Sequence, residues 1–476
     1  MNNTIPDIGW LEVTPEAFDL HAIKGINDLS YRKESTFQFA GEAPLQPEQV
    51  VAIKLGVFAT NDLPFWTSEE IENTGSRVVY VPGINGNLSI GPDGVGIARA
   101  YHYEPTLGGI VRSRLTGVKA PVDSVQSEDV TRKLAGLGIV TLFQPDHLVR
   151  TTKDKTKEIA TSAGVNSPFS RCCANVVFPN SLFRELSETG YREFVIKPNN
   201  GVQGDEVEFL DLDLGHDDFD SKVEGKSDVI IEQRIIPKLL NIDGVEHDWN
   251  IRSVVLEGGQ VGWYVRACAM GGPVNISKGA FLLTQDELSN YLPEMINLDS
   301  KVKEFSEKVG SVFPEGLIAV DIIVNKDDGE LYLIEVNTGN IVCTSYPDYP
   351  DPKAISVEER QSVADNLVKG YKKAALRQSL TSSEEVSVDF DNGESRVEVA
   401  LDYISKILSD GDTNYGVYLL LDVLDYIKKI SSTINENARQ YLIGRTLHTA
   451  HVVDYYSDKK NDEMHRFVFV ELASAG

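Results

Sequence analysis

The sequence predicts an α/β protein, because strand-like and helix-like segments alternate along much of the chain. Its clearest element is a β-hairpin from Gly316 to Asn340, in which two runs rich in Ile, Leu and Val flank a turn near Asp328. With 476 residues and a hydrophobic fraction of 41%, the chain has enough material for about three domains of ~150 residues each.

Composition narrows the classes of function. The formal net charge is −27, from 72 acidic and 45 basic residues, which argues against a sequence-independent nucleic-acid binder and against binding to anionic membranes. A nucleotide stays compatible, because it needs only a local group of cations. The four cysteines form no CxxC pair, so neither a zinc ribbon nor a thioredoxin-like motif is predicted. A disulfide framework is not expected at this chain length and cysteine density. The first residues lack a signal pattern and no apolar run approaches ~20 residues, so a soluble cytoplasmic protein is expected.

Residues 1–148 are expected to form an N-terminal α/β domain. Short buried strands are predicted at Val50 to Ala59, Arg77 to Val81 and Gly138 to Phe143. A helix is predicted from Ser124 to Leu137, leading into the last of these strands. The segment from Gly91 to Gly96 lacks the GxGxxG spacing, which favours a plain loop over a phosphate-binding loop.

The hairpin carries the strongest indication of chemistry. A turn centred near Asp328 places Asp321 opposite Glu335. Asn337 shares a face with Glu335, because side chains alternate along a strand. Two facing carboxylates in an apolar hairpin repel each other and are costly to bury, whereas oxygen ligands of these kinds suit Mg²⁺ carrying a nucleotide's phosphates. The alternative is an amphipathic hairpin with a wet acidic face, which the apolar neighbours disfavour.

Cations that suit a phosphate precede the hairpin. A helix is predicted from Thr151 to Gly164. Its first turns carry three lysines, Lys153, Lys155 and Lys157. Lys197 ends a short strand and is followed by a turn at 201–204, whose glycines let the backbone approach phosphates closely. A solvated helix start and an ordinary hairpin turn are the alternatives.

A second hairpin, predicted from Asp248 to Ala267, adds arginines. With its turn centred at 258–259, Arg252 lies nearly opposite Arg266. Two facing cations favour an anion such as a phosphate or a carboxylate between them. The apolar strand from Asp228 to Ile236 ends in exposed backbone that can hydrogen-bond a planar base.

Taken in order, these motifs resemble those of the ATP-grasp superfamily over residues 150–345. The matching stretches are Asp154-Lys155, Lys197-Pro198, Gly201 to Gly204, Glu232 to Ile235, Asp248 with Arg252, Arg266, Asn275 to Gly279, and Asp321 with Glu335-Val336-Asn337. The resemblance implies an ATP-grasp fold behind an N-terminal pre-ATP-grasp domain. It also implies ATP as cofactor, with Mg²⁺ or in its place Mn²⁺.

The resemblance assigns a role to each matching residue. The phosphate-binding lysines would be Lys155 and Lys197, beneath a lid turn containing Gly201, Gln203 and Gly204. The adenine-binding hinge would be Glu232, Gln233, Arg234 and Ile235, mainly through backbone, with Asp248 facing the ribose or nearby substrate. The metal ligands would be Asp321, Glu335 and Asn337. The groups that stabilise the transferring phosphoryl group or an acyl phosphate would be Arg252, Arg266 and Lys278.

Two positions depart from the family pattern. Asn340 and Ile341 stand where many members have part of a Ser-Pro-Gly sequence, which leaves the substrate open. Ala319 precedes Asp321 where some dipeptide-forming ligases carry an arginine, which disfavours an enzyme similar to D-alanine ligase.

The function implied by the resemblance is an ATP-dependent carboxylate–amine ligase that works through an acyl phosphate and releases ADP and phosphate. Its expected partners are a small carboxylate and an amine, with an amino acid or short peptide among them, and neither nucleic acid nor membrane. Two alternatives stay open. One is a small-molecule kinase of the same fold, and the other is a non-catalytic nucleotide-binding regulatory protein with a degraded site.

The remaining boundaries are set by composition. Residues 149–380 are expected to form the ATP-grasp domain, with a lid subdomain at about 165–235 and a closing helix from Val357 to Leu380. Residues 381–395, rich in Ser, Glu and Asp, are an expected linker. Residues 396–476 have helical apolar spacing and are expected to form a small module that caps the site, binds substrate or mediates homodimerisation.

Overall fold

The computed structural model describes residues 38–55, 68–81, 88–123, 128–142, 152–176, 179–199, 207–270, 274, 279–293, 295, 297–337, 356–380 and 383–387. Within these ranges, three β-sheets with helices packed on them confirm the predicted α/β class. The C-terminal helical module predicted at 396–476 lies outside the described residues. No helix in the described ranges has the length and apolar character needed to cross a membrane.

The helices, numbered along the described chain, are α1 (Ser68–Asn73), α2 (Glu128–Gly136), α3 (Lys153–Ser162), α4 (Pro179–Glu188), α5 (His216–Val223), α6 (Gln285–Tyr291), α7 (Leu298–Val312) and α8 (Val357–Ala375). Helices α2, α3 and α8 lie inside the segments predicted to be helical. Two lysines of helix α3 are buried. The buried residues of this helix are Lys153, Thr156, Lys157 and Ala160. This spacing is that of a single helix face.

The first sheet contains eight strands from the two ends of the described chain. They are β1 (Phe39–Glu42), β2 (Val50–Leu55), β3 (Arg77–Val81), β4 (Leu88–Gly91), β5 (Gly94–Glu104), β6 (Gly109–Val118), β7 (Val122–Asp123) and β18 (Val386–Ser387). Their order is β1-β6-β5-β3-β2-β7, with β4 on β5 and β18 on β4. Strand β18 falls within the stretch that the sequence predicts to be a linker, so part of that stretch is paired backbone.

One strand prediction in this sheet is wrong, while β3 is confirmed. Strand β2 confirms the predicted strand up to Leu55, and residues 56–59 lie outside the described ranges. The predicted strand from Gly138 to Phe143 is wrong, because only Thr141 bridges to Val122. Within the described residues, Val122 of β7 donates to the Val140 carbonyl and accepts from the Leu142 N–H, so this segment meets the sheet at a single bridge. The glycine-rich segment is the turn between β4 and β5, where Gly91 pairs with Gly94.

The second sheet is antiparallel and has its own core. Its strands are β8 (Ser170–Asn175), β9 (Glu193–Pro198), β10 (Glu208–Asp211) and β11 (Ser227–Gln233), in the order β10-β9-β11-β8. Leu186 of α4 and Phe219 of α5 share a buried cluster with Phe194 of β9. The sheet and these helices lie within the residues predicted to form the lid subdomain. We refer to the sheet of β8, β9, β10 and β11 as the lid sheet.

The third sheet contains both predicted hairpins. Its strands are β12 (Leu240–Ile242), β13 (Val245–Leu256), β14 (Gly259–Ala269), β15 (Phe281–Leu283), β16 (Leu317–Val324) and β17 (Leu331–Asn337). The order is β15-β14-β13-β16-β17, with β12 on β13. Residues of α7 and α8 share its buried core, while α3 lies against β17. Neighbouring strands β14, β13, β16 and β17 therefore bring the predicted arginines and metal ligands together.

The register of the β13–β14 hairpin differs from the prediction. Arg252 pairs with Tyr264, and Arg266 pairs with Asn250. The turn is centred on Glu257 and Gly258, whose φ angles are +52° and +78°, one residue earlier than expected. A β-bulge after Val254 then shifts the pairing back by one residue, so that Arg252 pairs with Tyr264 rather than with Trp263. The two arginines are therefore diagonal neighbours rather than a facing pair.

A buried carboxylate joins this turn to the end of α8. Glu257 is 1% exposed, and its Oε1 accepts a hydrogen bond from the Gly316 backbone N–H at 2.8 Å. Arg377, just beyond α8, donates from Nε to Oε2 of Glu257 at 2.9 Å. The same guanidinium also reaches Oε2 of Glu315 at 2.9 Å. Glu257 thus ties the β13–β14 turn both to the start of β16 and to the last helix.

Candidate active site

The edge formed by β16 and β17 carries the predicted metal ligands. Asp321 pairs with Glu335, which confirms the predicted register, and Asn337 pairs with Ala319. Asp321 is 5% exposed, whereas the side chain of Glu335 is 26% exposed. One carboxylate is therefore buried among the strands, and the other faces the space in front of the sheet.

Asp321 is held by both arginines of the β13–β14 hairpin. Arg252 donates from Nε to Oδ1 and from Nη2 to Oδ2, each at 2.8 Å. Arg266 reaches Oδ1 through Nη2 at 3.1 Å. Burial alone would raise the pKa of Asp321, but the two guanidinium charges outweigh burial and hold its pKa well below the usual range. The anion that the sequence places between two cations is thus this carboxylate in the described structure.

Arg266 is fixed from a second direction. Its Nε donates to Oδ1 of Asn250 at 2.9 Å, and both side chains are buried. Burial and the like charge of Arg252 lower the pKa of Arg266. Bonds to Asn250 and Asp321 determine how its guanidinium is oriented.

A second buried ionic group lies between α3 and the lid sheet. Glu232 of β11 is 3% exposed and contacts the ammonium groups of Lys157 and Lys197. Lys197 lies 2.7 Å from Oε2 of Glu232 and 3.4 Å from the Ile334 carbonyl of β17. Burial would raise the pKa of Glu232, but the two lysines hold it below its usual value. Burial lowers the pKa of Lys157 to about 8, against the attraction of Glu232.

The structure changes which lysines of α3 face this region. Lys155, predicted to bind phosphate, is exposed on the outer face of the helix. Lys153 is 8% exposed and Lys157 is 2% exposed. Nζ of Lys153 lies 3.5 Å from Oε1 of Glu335. Lys153 and Lys157 therefore face the carboxylates of this region and Lys155 does not, because residues four apart share a helix face and residues two apart do not. The phosphate-binding role of Lys155 stays a prediction.

Asn199 joins the start of α3 to the lid sheet, although sequence reasoning gave it no role. Its side-chain oxygen accepts from the backbone N–H of Asp154 at 3.1 Å, and its carbonyl accepts from that of Lys153 at 3.2 Å. Its Nδ2 donates to Oδ1 of Asp228 at 3.2 Å. Asn199 is 4% exposed and lies two residues beyond Lys197. It therefore couples the lysines of α3 to the lysine of β9.

Some hydrogen-bonding groups of the predicted adenine hinge are already bonded to other parts of the protein. The N–H of Gln233 donates to the Phe169 carbonyl at 2.8 Å, and that of Arg234 donates to the Glu193 carbonyl at 2.9 Å. The Arg234 guanidinium pairs with the Glu193 carboxylate at 2.8 Å. Ile235 is buried at 5% exposure. Any base contact from Gln233 or Arg234 that leaves the described fold unchanged would therefore involve carbonyl groups rather than these N–H groups.

The other predicted residues have different outcomes. Asp248 of β13 is 7% exposed and pairs with Cys268 across the strands. Burial and the nearby Asp248 charge raise the pKa of Cys268 to about 11. The predicted residues that lie outside the described ranges are Gly201, Gln203, Gly204 and Lys278.

Positive charge exceeds negative charge in the three ionic groups of the site. The cations are Lys153, Lys157, Lys197, Arg252 and Arg266, and the carboxylates that they contact are Glu232, Asp321 and Glu335. The cations outnumber these carboxylates by two. A buried or half-buried surplus of this sign favours a multiply charged anion such as a polyphosphate.

Oxygen donors on the β16–β17 edge fit a divalent cation. The described residues give Oδ2 of Asp321 one hydrogen bond, from Arg252, which leaves acceptor capacity on that oxygen. Nδ2 of Asn337 is buried and has no partner in the described ranges, and exchanging the amide N and O would place an acceptor there. These ranges contain no metal-binding group of three or more His, Cys, Asp or Glu side chains. A divalent cation here would therefore need the amide oxygen of Asn337 in addition to the carboxylates of Asp321 and Glu335.

No family model and no curated protein matches the sequence. A D-alanine–D-alanine ligase from Bacillus anthracis complexed with ATP is similar, at a TM-score of 0.34 and 22% identity over 52% of this chain and 74% of that chain. The ATP-grasp ligase PsnB complexed with precursor peptide PsnA2 and AMPPNP is similar at 0.41 and 14%, over 68% and 98%. The VanG D-Ala:D-Ser ligase from Enterococcus faecalis is similar at 0.37 and 15%, over 68% and 99%.

Proposed function

We propose that this protein is an ATP-dependent carboxylate–amine ligase that forms an amide or peptide bond through an acyl phosphate. The observation that carries the proposal is a surplus of positive charge on buried lysines and arginines. These cations lie beside side-chain oxygens of β16 and β17 that can bind a metal ion. Lys157 and Lys197 suit the phosphates of a nucleotide, and Glu335 and Asn337 suit the cation that accompanies them. No Ser–His–Asp nucleophilic set is needed for this chemistry.

The arrangement suits phosphoryl transfer to a carboxylate. A carboxylate is a poor electrophile, and its attack on the terminal phosphate of ATP forms an acyl phosphate with release of ADP. An amine then attacks the acyl carbon and phosphate leaves. Arg252 and Arg266 are oriented by their shared contact with Asp321 and offer fixed positive charge to the transferring oxygens. Mg²⁺ bound at Asp321, Glu335 and Asn337 would neutralise further phosphoryl charge.

A small-molecule kinase is the second candidate, because the same cations would serve transfer of phosphate to a hydroxyl. The two reactions differ in their products. A ligase consumes ATP only when an activatable acid is present and forms a hydroxamate when hydroxylamine replaces the amine, since hydroxylamine displaces phosphate from an acyl phosphate. A kinase instead leaves a stable phosphorylated product.

The test is ADP release with Mg·ATP against pools of amino acids, short peptides and small carboxylates, with and without hydroxylamine. The variants are Glu335→Gln and, as a matched control, Glu330→Gln, which changes an exposed carboxylate near the turn of the same hairpin. Hydroxamate that depends on one pool, is lost in Glu335→Gln and persists in Glu330→Gln supports the ligase. A stable phosphorylated product without hydroxamate supports the kinase. Nucleotide binding without turnover on any pool would favour the regulatory alternative.

A further inference from the structure

The first turn of α3 is capped by a residue from another part of the fold. Thr152 stands at the N-cap position, but its side chain makes no capping hydrogen bond. Instead, the backbone N–H of Lys153 donates to the Asn199 carbonyl at 3.2 Å, and the N–H of Asp154 donates to Oδ1 of Asn199 at 3.1 Å. The first N–H groups of a helix have no acceptor within it. Asn199, which directly follows β9, therefore supplies two of the acceptors that α3 needs.

Asn199 is held in turn by β11. Its backbone N–H donates to the Asp228 carbonyl at 2.8 Å, and its Nδ2 donates to Oδ1 of Asp228 at 3.2 Å. The acceptor on Asp228 and the N–H donor of Asp154 together favour one orientation of the amide group, with its oxygen towards the helix. Asn199 is 4% exposed, and hydrogen bonds in such a buried position are stronger than in water.

These bonds limit how α3 can bind a phosphate. A helix start binds anions through unsatisfied backbone N–H groups, but Asn199 already accepts from those of Lys153 and Asp154. Contacts of α3 with a phosphate would therefore come from its lysine side chains. The positions of their ammonium groups depend on where the helix begins and on how it is rotated about its axis.

The lysines concerned come from the two elements that Asn199 joins. Lys157 of α3 and Lys197 of β9 share the carboxylate of Glu232, and Lys153 lies one turn before Lys157 on the same buried face. Binding groups work well only when the bonds of neighbouring residues hold them in the productive geometry. The bonds of Asn199 fix the start of α3 against β9, and they therefore fix the spacing between the α3 lysines and Lys197.

We propose that Asn199 is a positioning residue for nucleotide binding, which holds the lysines of α3 at the distance from Lys197 that a polyphosphate requires. The inference rests on the proposed function, because it requires that the site bind a nucleotide. It extends that function to a residue that acts through Lys153 and Lys157 rather than through a contact of its own with the ligand.

The experiment is a double-mutant cycle on the affinity for Mg·AMP-PNP, measured by calorimetric titration of the full chain at a temperature where circular dichroism shows every variant to be folded. Asn199→Ala should weaken binding about 2- to 10-fold, the range for one lost hydrogen bond. Combined with Lys157→Met, it should weaken binding less than the product of the two single effects, by at least about twofold, because residues that act through one another are not additive. A purely structural role would lower Tm without this coupling.

A second pair of variants tests the contact with Asp228. Asn199→Asp places two carboxylates against each other and should weaken binding. Adding Asp228→Asn restores a donor and an acceptor with their places exchanged, and asparagine also tolerates the positive φ at this position. The combined variant should recover most of the lost affinity, and it keeps the test available if Asn199→Ala does not fold. The matched control is Asn241→Ala, which removes an amide that caps an exposed turn at 3.0 Å and should leave the affinity unchanged.

The outcomes separate the two proposals. Single effects that multiply in the Asn199→Ala, Lys157→Met variant would overturn the positioning role, and so would an unchanged affinity in Asn199→Ala with a lowered Tm. Absence of recovery in the exchanged pair would contradict the role of the contact with Asp228. Failure of the wild type to bind Mg·AMP-PNP would instead remove the proposed function itself.

Discussion

Lys197 and Glu232 lie on adjacent strands of the lid sheet, and their charged groups are 2.7 Å apart. Lys157 of α3 contacts the other oxygen of the same carboxylate. One buried carboxylate thus serves as the shared counter-ion of two lysines that come from different parts of the fold. Removing one partner from such a buried ionic group is strongly destabilising, because it leaves buried charge without a counter-ion.

Replacing Glu232 with glutamine should destabilise the protein and increase its response to nucleotide. The variant leaves two buried lysines without their shared anion, so the free energy of unfolding should fall by about 3 kcal/mol or more. Because nucleotide phosphates would restore negative charge, Mg·AMP-PNP should raise Tm more in Glu232→Gln than in the wild type. Glu185→Gln, in a half-exposed pair, should change neither quantity. An equal nucleotide-induced rise in all three proteins would contradict this account.

The burial of Lys157 and the exposure of Lys155 predict different effects of replacing these two lysines of α3. Lys157→Met should weaken AMP-PNP binding by about 10- to 100-fold, the amount expected for losing a charge-assisted contact of about 1.5–3 kcal/mol. Lys155→Met is the matched control and should bind as the wild type does, because Lys155 is exposed on the outer face of α3. Calorimetric titration measures both affinities, and weaker binding in Lys155→Met alone would favour the predicted role of Lys155 instead.

Nucleotide binding should take up protons near pH 8. Burial lowers the pKa of Lys157 to about 8 in the free protein, so the lysine is partly neutral at that pH. Bound phosphates favour the charged form and raise its pKa. Proton uptake should therefore accompany binding at about pH 8 and be absent in Lys157→Met. Calorimetry in buffers of different ionisation enthalpy measures the uptake, and proton release in the wild type would contradict the sign.

Asn199 should matter for stability more than other asparagines that bond to backbone. Asn199→Ala leaves the Asp154 N–H without its side-chain acceptor in a buried position, so a loss of about 1–3 kcal/mol is expected in urea unfolding. The control is Asn241→Ala, whose side chain accepts from the Gly244 N–H in an exposed turn at 3.0 Å. Equal losses in the two variants would mean that burial of the Asn199 bonds has no special effect.

The two carboxylates that Arg377 contacts should contribute differently to stability through their bonds to it. Arg377→Met leaves the buried Glu257 without its guanidinium, and a loss of about 3 kcal/mol is expected. Glu315→Gln removes only the pair at the half-exposed side chain, which should cost at most ~1 kcal/mol. Chemical denaturation of both variants measures this contrast. Similar losses would show that Glu257 does not depend on Arg377.

Sequence patterns predicted that Asp321 faces Glu335, although the described ladder reaches this pairing through a β-bulge between Asp321 and Ile322, because Val324 pairs with Leu331 at the turn. Asp321 and Glu335 pair as expected. The β13–β14 register was missed because its turn contains Glu257 at positive φ, a conformation uncommon for a residue with a side chain. A β-bulge after Val254 offset part of this shift, because without it Arg252 would pair with Trp263 rather than with Tyr264.

The lysine face of α3 was within reach of the sequence. Lys153, Thr156, Lys157 and Ala160 follow helical spacing, but lysines are ordinarily exposed, so their burial could be seen only once their carboxylate partners were located. Glu232 and Glu335 come from distant strands. The sequence pattern around Asn199 does not indicate its role, because its contacts with the backbone at the start of α3 form only in the tertiary structure.

Strand β18 determines when the first sheet can be completed during synthesis. Val386 pairs with Ile90 of β4, so the first sheet gains its last strand only after the residues of both other sheets have left the ribosome. Until then β4 presents an unpaired edge on its outer side, the kind of edge that invites pairing with other chains. Among the described residues, the outer side of β4 is paired only by residues 386–387, so a chain cut short before residue 386 would lack this pairing.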